Sequence, residues 1–377
     1  MVRNPEHNML SPLSHDELMR QKFVLSFKQH IFKNIKPRNK LVYEKLGLPA
    51  YQKNFTEPPK KISDIETLMY AQPMYQMFSA LNRSAQELMW QSVSEPIFRN
   101  RDILSRKYKE LKKAKKTRGS LQLNNLVNVP KGISQIDIHL QPGGYVSDYG
   151  PNDLLAGALY EGGGNLYSRS GGIGTTESKA EVIIRFLAEK FSGFRPKKIL
   201  DIGCSAGASS TPWALAYPNA SVHAIDLGAG MLRYAHARAE AMDACVHFHQ
   251  MNANTIEFDT KTFDLVLSHN AMHEMSRVTT KNMFRESYRL LKPGGIAIHQ
   301  DVPLSYKGVD LFTQFERSWD QKNNNEPYWS TYATNNTNQM FLDAGFIEEN
   351  ISFDKFKQLD NTISWFISAA KKPKNTG

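Results

Sequence analysis

Cysteine is nearly missing from this chain of 377 residues, with Cys204 and Cys245 its only examples. Two thiols without a paired-ligand spacing exclude a disulfide framework and a cysteine-ligated zinc site, and no redox role is suggested. Long apolar runs are missing too. The opening MVRNPEHNMLSPLSHDEL lacks the apolar stretch of a signal peptide, and nowhere do about 18 apolar residues follow one another as a membrane span requires. A soluble, cytoplasmic protein is the expectation. Acidic residues are scarce at the N-terminal end, where residues 1–120 hold 23 lysines and arginines against 11 acids, while the remainder holds 24 against 26.

The composition that is present, 41% hydrophobic with five tryptophans, is that of a packed globular protein with room for a large domain and an appendage. From about residue 13 to 118 the pattern is helical, as in Met77, Leu81, Leu88 and Val93, with breaks expected at Pro37, Pro49, Pro58, Pro59, Pro73 and Pro96. The run RKYKELKKAKKTR at 106–118 reads as a solvated helix end whose cations face the negative pole of the helix. Its alternative is a patch for anions, a membrane surface or nucleic acid.

Four segments follow from these shifts in composition: a basic helical domain at 1–120, a Gly/Pro-rich connector and lid at 121–175, a ligand-binding domain at 176–371 and a tail at 372–377. The connector contains QPGGYVSDYGPNDLLAG and YEGGGNLYSRSGGIGTTES, too long for an idle loop and typical of segments that cover ligands.

Beyond Glu177 helical and strand patterns alternate. Ala180, Ile183, Ile184, Leu187 and Phe191 share one helical face, and KILDI, SVHAID, VHFHQM, FDLVLS and IAIHQDV read as strands, with a helix expected over NMFRESYRLLKPGG. Alternation of this kind predicts an α/β fold with a doubly wound, mostly parallel sheet, which binds ligands beyond the carboxyl ends of its strands. In LDIGCSAG, Gly203 and Gly207 allow a tight turn against a ligand, and Asp226 ends the second strand, where a carboxylate can accept both hydroxyls of a ribose. The spacing is G-x-x-x-G, not the G-x-G-x-x-G of dinucleotide oxidoreductases, which argues against that rival on the same fold.

LDIGCSAG, AIDLGAGML, HQMNANTIEF, FDLVLSHNAMHEM and RLLKPGGIAIHQDV, in this order over roughly residues 176–371, resemble the motifs of class I S-adenosylmethionine-dependent methyltransferases, in particular the small-molecule type of the ubiquinone/menaquinone methyltransferases. The resemblance implies a seven-stranded Rossmann-like sheet and S-adenosyl-L-methionine as cofactor. It implies that Asp201, Gly203, Cys204 and Gly207 surround the methionine part, that Asp226 holds the ribose, that Leu227 and Met231 pack at the adenine, and that Asn252 and Ala253 meet its edge. His269 and, from the connector, Arg169 complete this set, Arg169 as partner of the cofactor's carboxylate with Tyr167 also turned inward. Ser205 stands where a middle glycine is common, and Asn252 where the family usually has Asp.

The expected reaction is methyl transfer to a small organic acceptor, with an RNA or ribosome-linked methyltransferase docking through the basic region as the alternative. A cofactor-binding regulatory protein without catalysis is a third class. No Asn/Asp-Pro-Pro-aromatic sequence follows the fourth strand, which lowers the weight of adenine-N6 and glutamine methylation. His273 is the candidate general base, since histidine titrates near neutrality, and His269 would share its face if the segment turns helical. A metal constellation of His269, His273 and Glu274 with His299 and Asp301 matches no zinc spacing, so no metal is expected. Trp319, Asn324, Glu326, Tyr328 and Trp329 form the candidate substrate wall, with Gln86, Glu87 and Trp90 closing the pocket from the N-terminal side.

Overall fold

The computed structural model describes residues 7–114, 117–169, 178–359 and 363–374, without the side chains of Ser168 and Arg169. Its centre is a sheet of eight strands: β1 (Ser120–Gln122), β2 (Lys198–Ile202), β3 (Ser221–Asp226), β4 (Val246–Gln250), β5 (Phe263–His269), β6 (Leu291–Asp301), β7 (Ile351–Lys357) and β8 (Ser364–Lys371). The order across the sheet is β1-β4-β3-β2-β5-β6-β8-β7, parallel as far as β6, with β8 antiparallel to both β6 and β7. The α/β, doubly wound and mostly parallel architecture is therefore present. One strand more than the expected seven is found because Ser120–Gln122 adds to the edge beside β4, in register with His247–His249.

Apolar strands β2 and β5 are buried along nearly their whole length, as strands covered by helices on both faces must be. The helix expected to run through KPGG stops at Leu290, and Leu291 already belongs to β6. Gly294 has φ +81, a left-handed conformation that no helix continues through.

The N-terminal region is helical. Helix His15–His30 starts with a capping box in which Ser14 and Glu17 satisfy each other's backbone N–H groups. Helix Pro73–Arg99 begins on Pro73 but runs through Pro96, expected to break it; the ring lies in the last turn, and Met77 and Leu88 of the expected apolar face are exposed. The buried face is instead Phe78, Ala85, Met89, Trp90, Val93 and Ile97. It packs in two directions. One cluster joins Met89, Trp90 and Val93 to Leu155, Leu159, Met231 and Tyr234, and another joins Phe78 and Ala85 to Phe312, Phe315 and Trp319 beyond β6. The helical region thus lies over the end of the sheet from which β3, β5 and β6 emit their following loops.

Part of the connector is also helical. Leu155–Arg169 forms one helix, so the glycines of EGGGNLYSR are not lid hinges; a Cβ added at Gly162 would lie 2.9 Å from Val93 Cγ1, and one at Gly163 2.8 Å from Trp90 Cη2. Gly162 and Gly163 let two helices approach closely. The rest of the expected lid, residues 170–175, falls outside the described residues, as does the side chain of Arg169. Among the described residues no helix is long and apolar enough to cross a membrane.

Candidate functional site

Beyond β2 the chain reverses through Gly203, Ser205 and Gly207 at φ +74, +49 and +74. Ser205 therefore occupies a left-handed conformation that glycine adopts without strain. The turn is tied to the next strand end: Ser205 N–H donates to Asp226 Oδ2 at 2.9 Å, and Gly228 N–H to Asp226 Oδ1 at 2.9 Å. Burial pushes the Asp226 carboxyl up, while these N–H groups pull it back. Each of its oxygens keeps a second lone pair and the residue is half-buried, so ribose hydroxyls can still be accepted.

Asp201 lies under the turn, its Oδ2 accepting the hydroxyls of Ser209 and Ser210 at 2.7 and 2.6 Å, while its buried Oδ1 has no partner among the described residues. An open carboxylate oxygen there suits a cationic amino group, so the cleft fits S-adenosylmethionine at both the ribose and the methionine end. Cys204 is buried and its thiol pushed far up by that burial, which makes it a packing residue and not a nucleophile. Met231 is buried behind the cleft, Leu227 offers its carbonyl to Gln250 Nε2 at 2.8 Å, and Ala253 is buried in the cluster around Ile225 and Ile256. The Asn252 amide is engaged locally: Nδ2 donates to Asn128 O at 2.8 Å, and Oδ1 accepts both N–H and Nδ2 of Asn254 at 2.9 Å.

His269 and His273 do not share a face. His269 closes β5 between Trp213, whose indole N–H donates to Nε2 at 3.1 Å, and Gln300 Oε1, 3.1 Å from Nδ1. Since indole only donates, Nε2 is the acceptor and Nδ1 carries the proton; burial lowers the tendency of this ring to charge. His299 is likewise held between Ser268 and Ser287 and pushed down to about 3 by burial. The constellation of His269, His273, Glu274, His299 and Asp301 is therefore not assembled as one group.

A different group is. The turn Met272–Glu274 after β5 is fixed by Asp301 at the end of β6, whose Oδ2 accepts the N–H of Met272 (2.8 Å) and His273 (3.2 Å) and whose Oδ1 stands 2.6 Å from His273 Nδ1. From the connector, His139 places Nε2 2.9 Å from Glu274 Oε1 and Nδ1 2.8 Å from Glu326 Oε1. His273 Nε2 is 3.6 Å from the same Glu274 oxygen, which also accepts the Tyr145 hydroxyl at 3.0 Å. Burial opposes a charged imidazole at both histidines, yet the carboxylates more than offset it, Glu326 and Glu274 raising His139 well above its usual range and Asp301 raising His273 to about 9.

His139 and Leu140 both have positive φ, +54 and +62, and the His139 carbonyl accepts Gln86 Nε2 at 3.0 Å and Trp90 Nε1 at 2.5 Å. Strained non-glycine backbone of this sort is held only where its surroundings over-determine it. Nothing in the sequence near His139 signals this role; its neighbours in the ring lie far away along the chain.

The ring adjoins the cofactor cleft. A Cβ on Gly203 would lie 3.0 Å from Ala271 Cβ, and one on Gly228 2.4 Å from the carbonyl oxygen of Tyr145, the residue whose hydroxyl reaches Glu274. Of the expected substrate wall, Glu326 and Asn324 belong to the ring, Asn324 Nδ2 standing 3.0 Å from Glu326 Oε1 and 3.2 Å from His139 Nδ1. Trp329 meets the His273 ring edge-on at 5.5 Å. Trp319 donates to Ser79 Oγ and packs on Phe78, while the Tyr328 hydroxyl lies against Gly132, so neither touches the ring. A cavity of about 200 Å³ begins at Asn324 and runs between Gln86, Tyr167, Phe78, Trp319 and Asp320. Gln86 and Trp90 reach the ring through the His139 carbonyl, whereas Glu87 is exposed and pairs with Arg83.

Residues 199–295 match the family described as "Methyltransferase domain". That stretch, about a quarter of the chain, is similar to a methyltransferase domain. Among curated proteins it is 28% identical over 138 residues to phosphoethanolamine N-methyltransferase 1 of Triticum aestivum, covering 37% of this chain and 26% of that protein. It is 28% identical over 128 residues to the malonyl-[acyl-carrier protein] O-methyltransferase of Legionella pneumophila, covering 34% and 42%. The chain thus spans less than half the length of these relatives. Among solved structures, phosphoethanolamine N-methyltransferase 2 of Haemonchus contortus in complex with S-adenosyl-L-methionine matches with a TM-score of 0.39 at 20% identity, over 50% of this chain and 52% of that one.

Proposed function

We propose that the protein transfers the methyl group of S-adenosylmethionine to a small organic acceptor bound between the sheet and the N-terminal helices, and that the acceptor atom is a hydroxyl oxygen or an acidic carbon. The observation that carries this reading is the buried ring of His139, His273, Glu274 and Glu326 directly beside the cofactor cleft. When bound, the cofactor supplies a methyl group on a sulfonium; the S–CH3 bond breaks as the bond to the acceptor forms, and sulfur keeps the electron pair. An acceptor of this class must also lose its proton.

A carboxylate of the ring, Glu274 or Glu326, takes that proton, while the His273 imidazolium, its ring fixed by Asp301 and its face by Trp329, lowers the acceptor's hold on it. Asp226 and the turn Gly203–Gly207 orient the cofactor, and alignment of the partners supplies much of the acceleration. The cavity beyond Asn324, lined by both charged or polar and aromatic side chains, receives the body of the acceptor. The motifs resemble those of ubiquinone/menaquinone methyltransferases, and the names of the matched relatives include both an N- and an O-methyltransferase. The proton-handling ring favours the second chemistry, because an amine needs little such help.

The test is His273→Asn against wild type, for cofactor affinity by calorimetry and for single-turnover methyl transfer. Unchanged affinity with a rate loss on the order of 10² to 10⁴ is expected. Equal rates, or a loss explained wholly by weaker cofactor binding, would return His273 to a packing role.

A further inference from the structure

We propose that His139, His273, Glu274 and Glu326 bind one first-row divalent transition-metal cation. One donor atom from each of the four lies within 4.8 Å of all the others, although they come from three separate segments: the connector, the turn after β5 and the segment after β6. Donors bound to such a cation at about 2.0 to 2.2 Å stand roughly 3.0 to 3.5 Å from one another. Glu274 Oε1 stands 2.9 Å from His139 Nε2 and 3.6 Å from His273 Nε2, while Glu326 Oε1 stands 2.8 Å from the other nitrogen of His139, Nδ1, so that a cation on Nε2 draws the Glu326 carboxylate round toward it. Around Glu274 the donors are therefore spaced as in a coordination shell, and one donor from each of the four residues lies within 4.8 Å of the rest.

Two further features separate it from an ion-pair network closed by protons. Glu326, 2% exposed, and Glu274 each satisfy one oxygen, whereas Oε2 of both is buried without a partner among the described residues. Buried carboxylate oxygens without partners call for an explanation, and a cation supplies one. Around the ring stands a set of orienting groups of the kind metal ligands have: Asp301 holds Nδ1 of His273 at 2.6 Å and leaves Nε2 as the donor, Tyr145 steadies Glu274, and the Asn324 amide steadies Glu326. Two imidazoles with two carboxylates suit zinc, iron(II) or manganese(II). Magnesium and calcium prefer oxygen alone, and copper(I) prefers sulfur.

The role of the cation rests on the methyl-transfer reading: it polarises the acceptor's nucleophilic atom and lowers its proton affinity, with His273 as ligand and not as free base. Binding itself can be measured without turnover. The full chain is stripped with a chelator, dialysed, and titrated calorimetrically with zinc chloride and with manganese(II) chloride, with elemental analysis of the dialysed complex. The expected result is one cation per chain, lost or weakened about 100-fold or more in Glu326→Gln and His139→Asn. Unchanged S-adenosylmethionine affinity in the same variants shows that they remain folded. Retention of less than one cation per chain, or equal binding by wild type and both variants, overturns the site. Cofactor binding without cation binding would sink this inference alone, and cation binding without cofactor binding would sink the methyl-transfer reading instead.

Discussion

Asp226 joins the two halves of the cofactor cleft through its two N–H contacts, and its loss is the simplest test of how the cofactor sits. A hydrogen bond involving an ionised group contributes about 1.5 to 3 kcal/mol, so Asp226→Ala should weaken S-adenosylmethionine at least about tenfold by calorimetry. Asp226→Asn, which keeps an acceptor for one of the N–H groups, should lose less. Unchanged affinity in both variants would remove Asp226 from the ribose site. This residue was legible from the sequence because its position depends on one local relation, a glycine turn followed by a strand ending in an acid. His139 was not legible. It meets Asn324 across 185 positions, and only the packing of the connector brings them together. His269 and His273 are four apart, yet the first ends an extended strand and the second sits in a tight turn, so the helical spacing that would have paired them never forms.

At the scale of elements, the buried strands β2 to β6 were readable from their apolar runs, whereas β1 is too short and too polar to announce itself. The helix Leu155–Arg169 shows the opposite failure. Its glycines suggest a mobile loop, because low helix propensity and close helix packing leave the same mark on a sequence. The two causes can be separated by substitution. At Gly164 an added Cβ meets nothing within 4 Å, so Gly164→Ala should stabilise the protein by up to about 1 kcal/mol through propensity alone. At Gly157 it would lie 2.3 Å from Tyr234 Cβ, an atom that no side-chain rotation can move away. Overpacking costs about 1 to 3 kcal/mol and outweighs the propensity gain, so Gly157→Ala should destabilise. Denaturant unfolding of the two variants shows whether the signs are opposite; the same sign in both would contradict the packing account.

On the scale of the whole molecule, the helical region is tied to the sheet domain by a buried charged network. Glu161 of the connector helix accepts from Arg238 Nε at 2.8 Å and from the Tyr234 hydroxyl at 2.5 Å, and stands 3.0 Å from His7 Nε2. Arg238 also reaches Thr211 Oγ1 and the carbonyl of Gly207 in the cofactor turn. Breaking such a pair from one side leaves a buried charge uncompensated, and Glu161→Ala should cost about 3 to 5 kcal/mol in unfolding free energy. Burial alone would raise the Glu161 carboxyl, but Arg238, His7 and Tyr234 offset it and hold the group at about 2, below the ordinary 4.5. A carboxyl lowered on folding stabilises the native state fully above the unfolded value and loses that contribution as pH falls through the folded one. Wild type should therefore lose this part of its stability between about pH 4.5 and 2, and Glu161→Gln should show a shallower acid dependence across that interval. Equal slopes would mean that the network is not linked to folding.

The central claim is that a methyl group passes from S-adenosylmethionine to a small molecule at the ring beside the cleft. The most direct measurement is incubation of the full chain with methyl-labelled S-adenosylmethionine and a small-molecule extract, with label followed by mass spectrometry in the small-molecule, nucleic-acid and protein fractions. Label should appear in a small molecule that has gained one methyl group, in step with S-adenosylhomocysteine, and should fall on the order of 10² or more with His273→Asn. Bound cofactor with no label in the small-molecule fraction, or label carried equally by His273→Asn, would contradict the account.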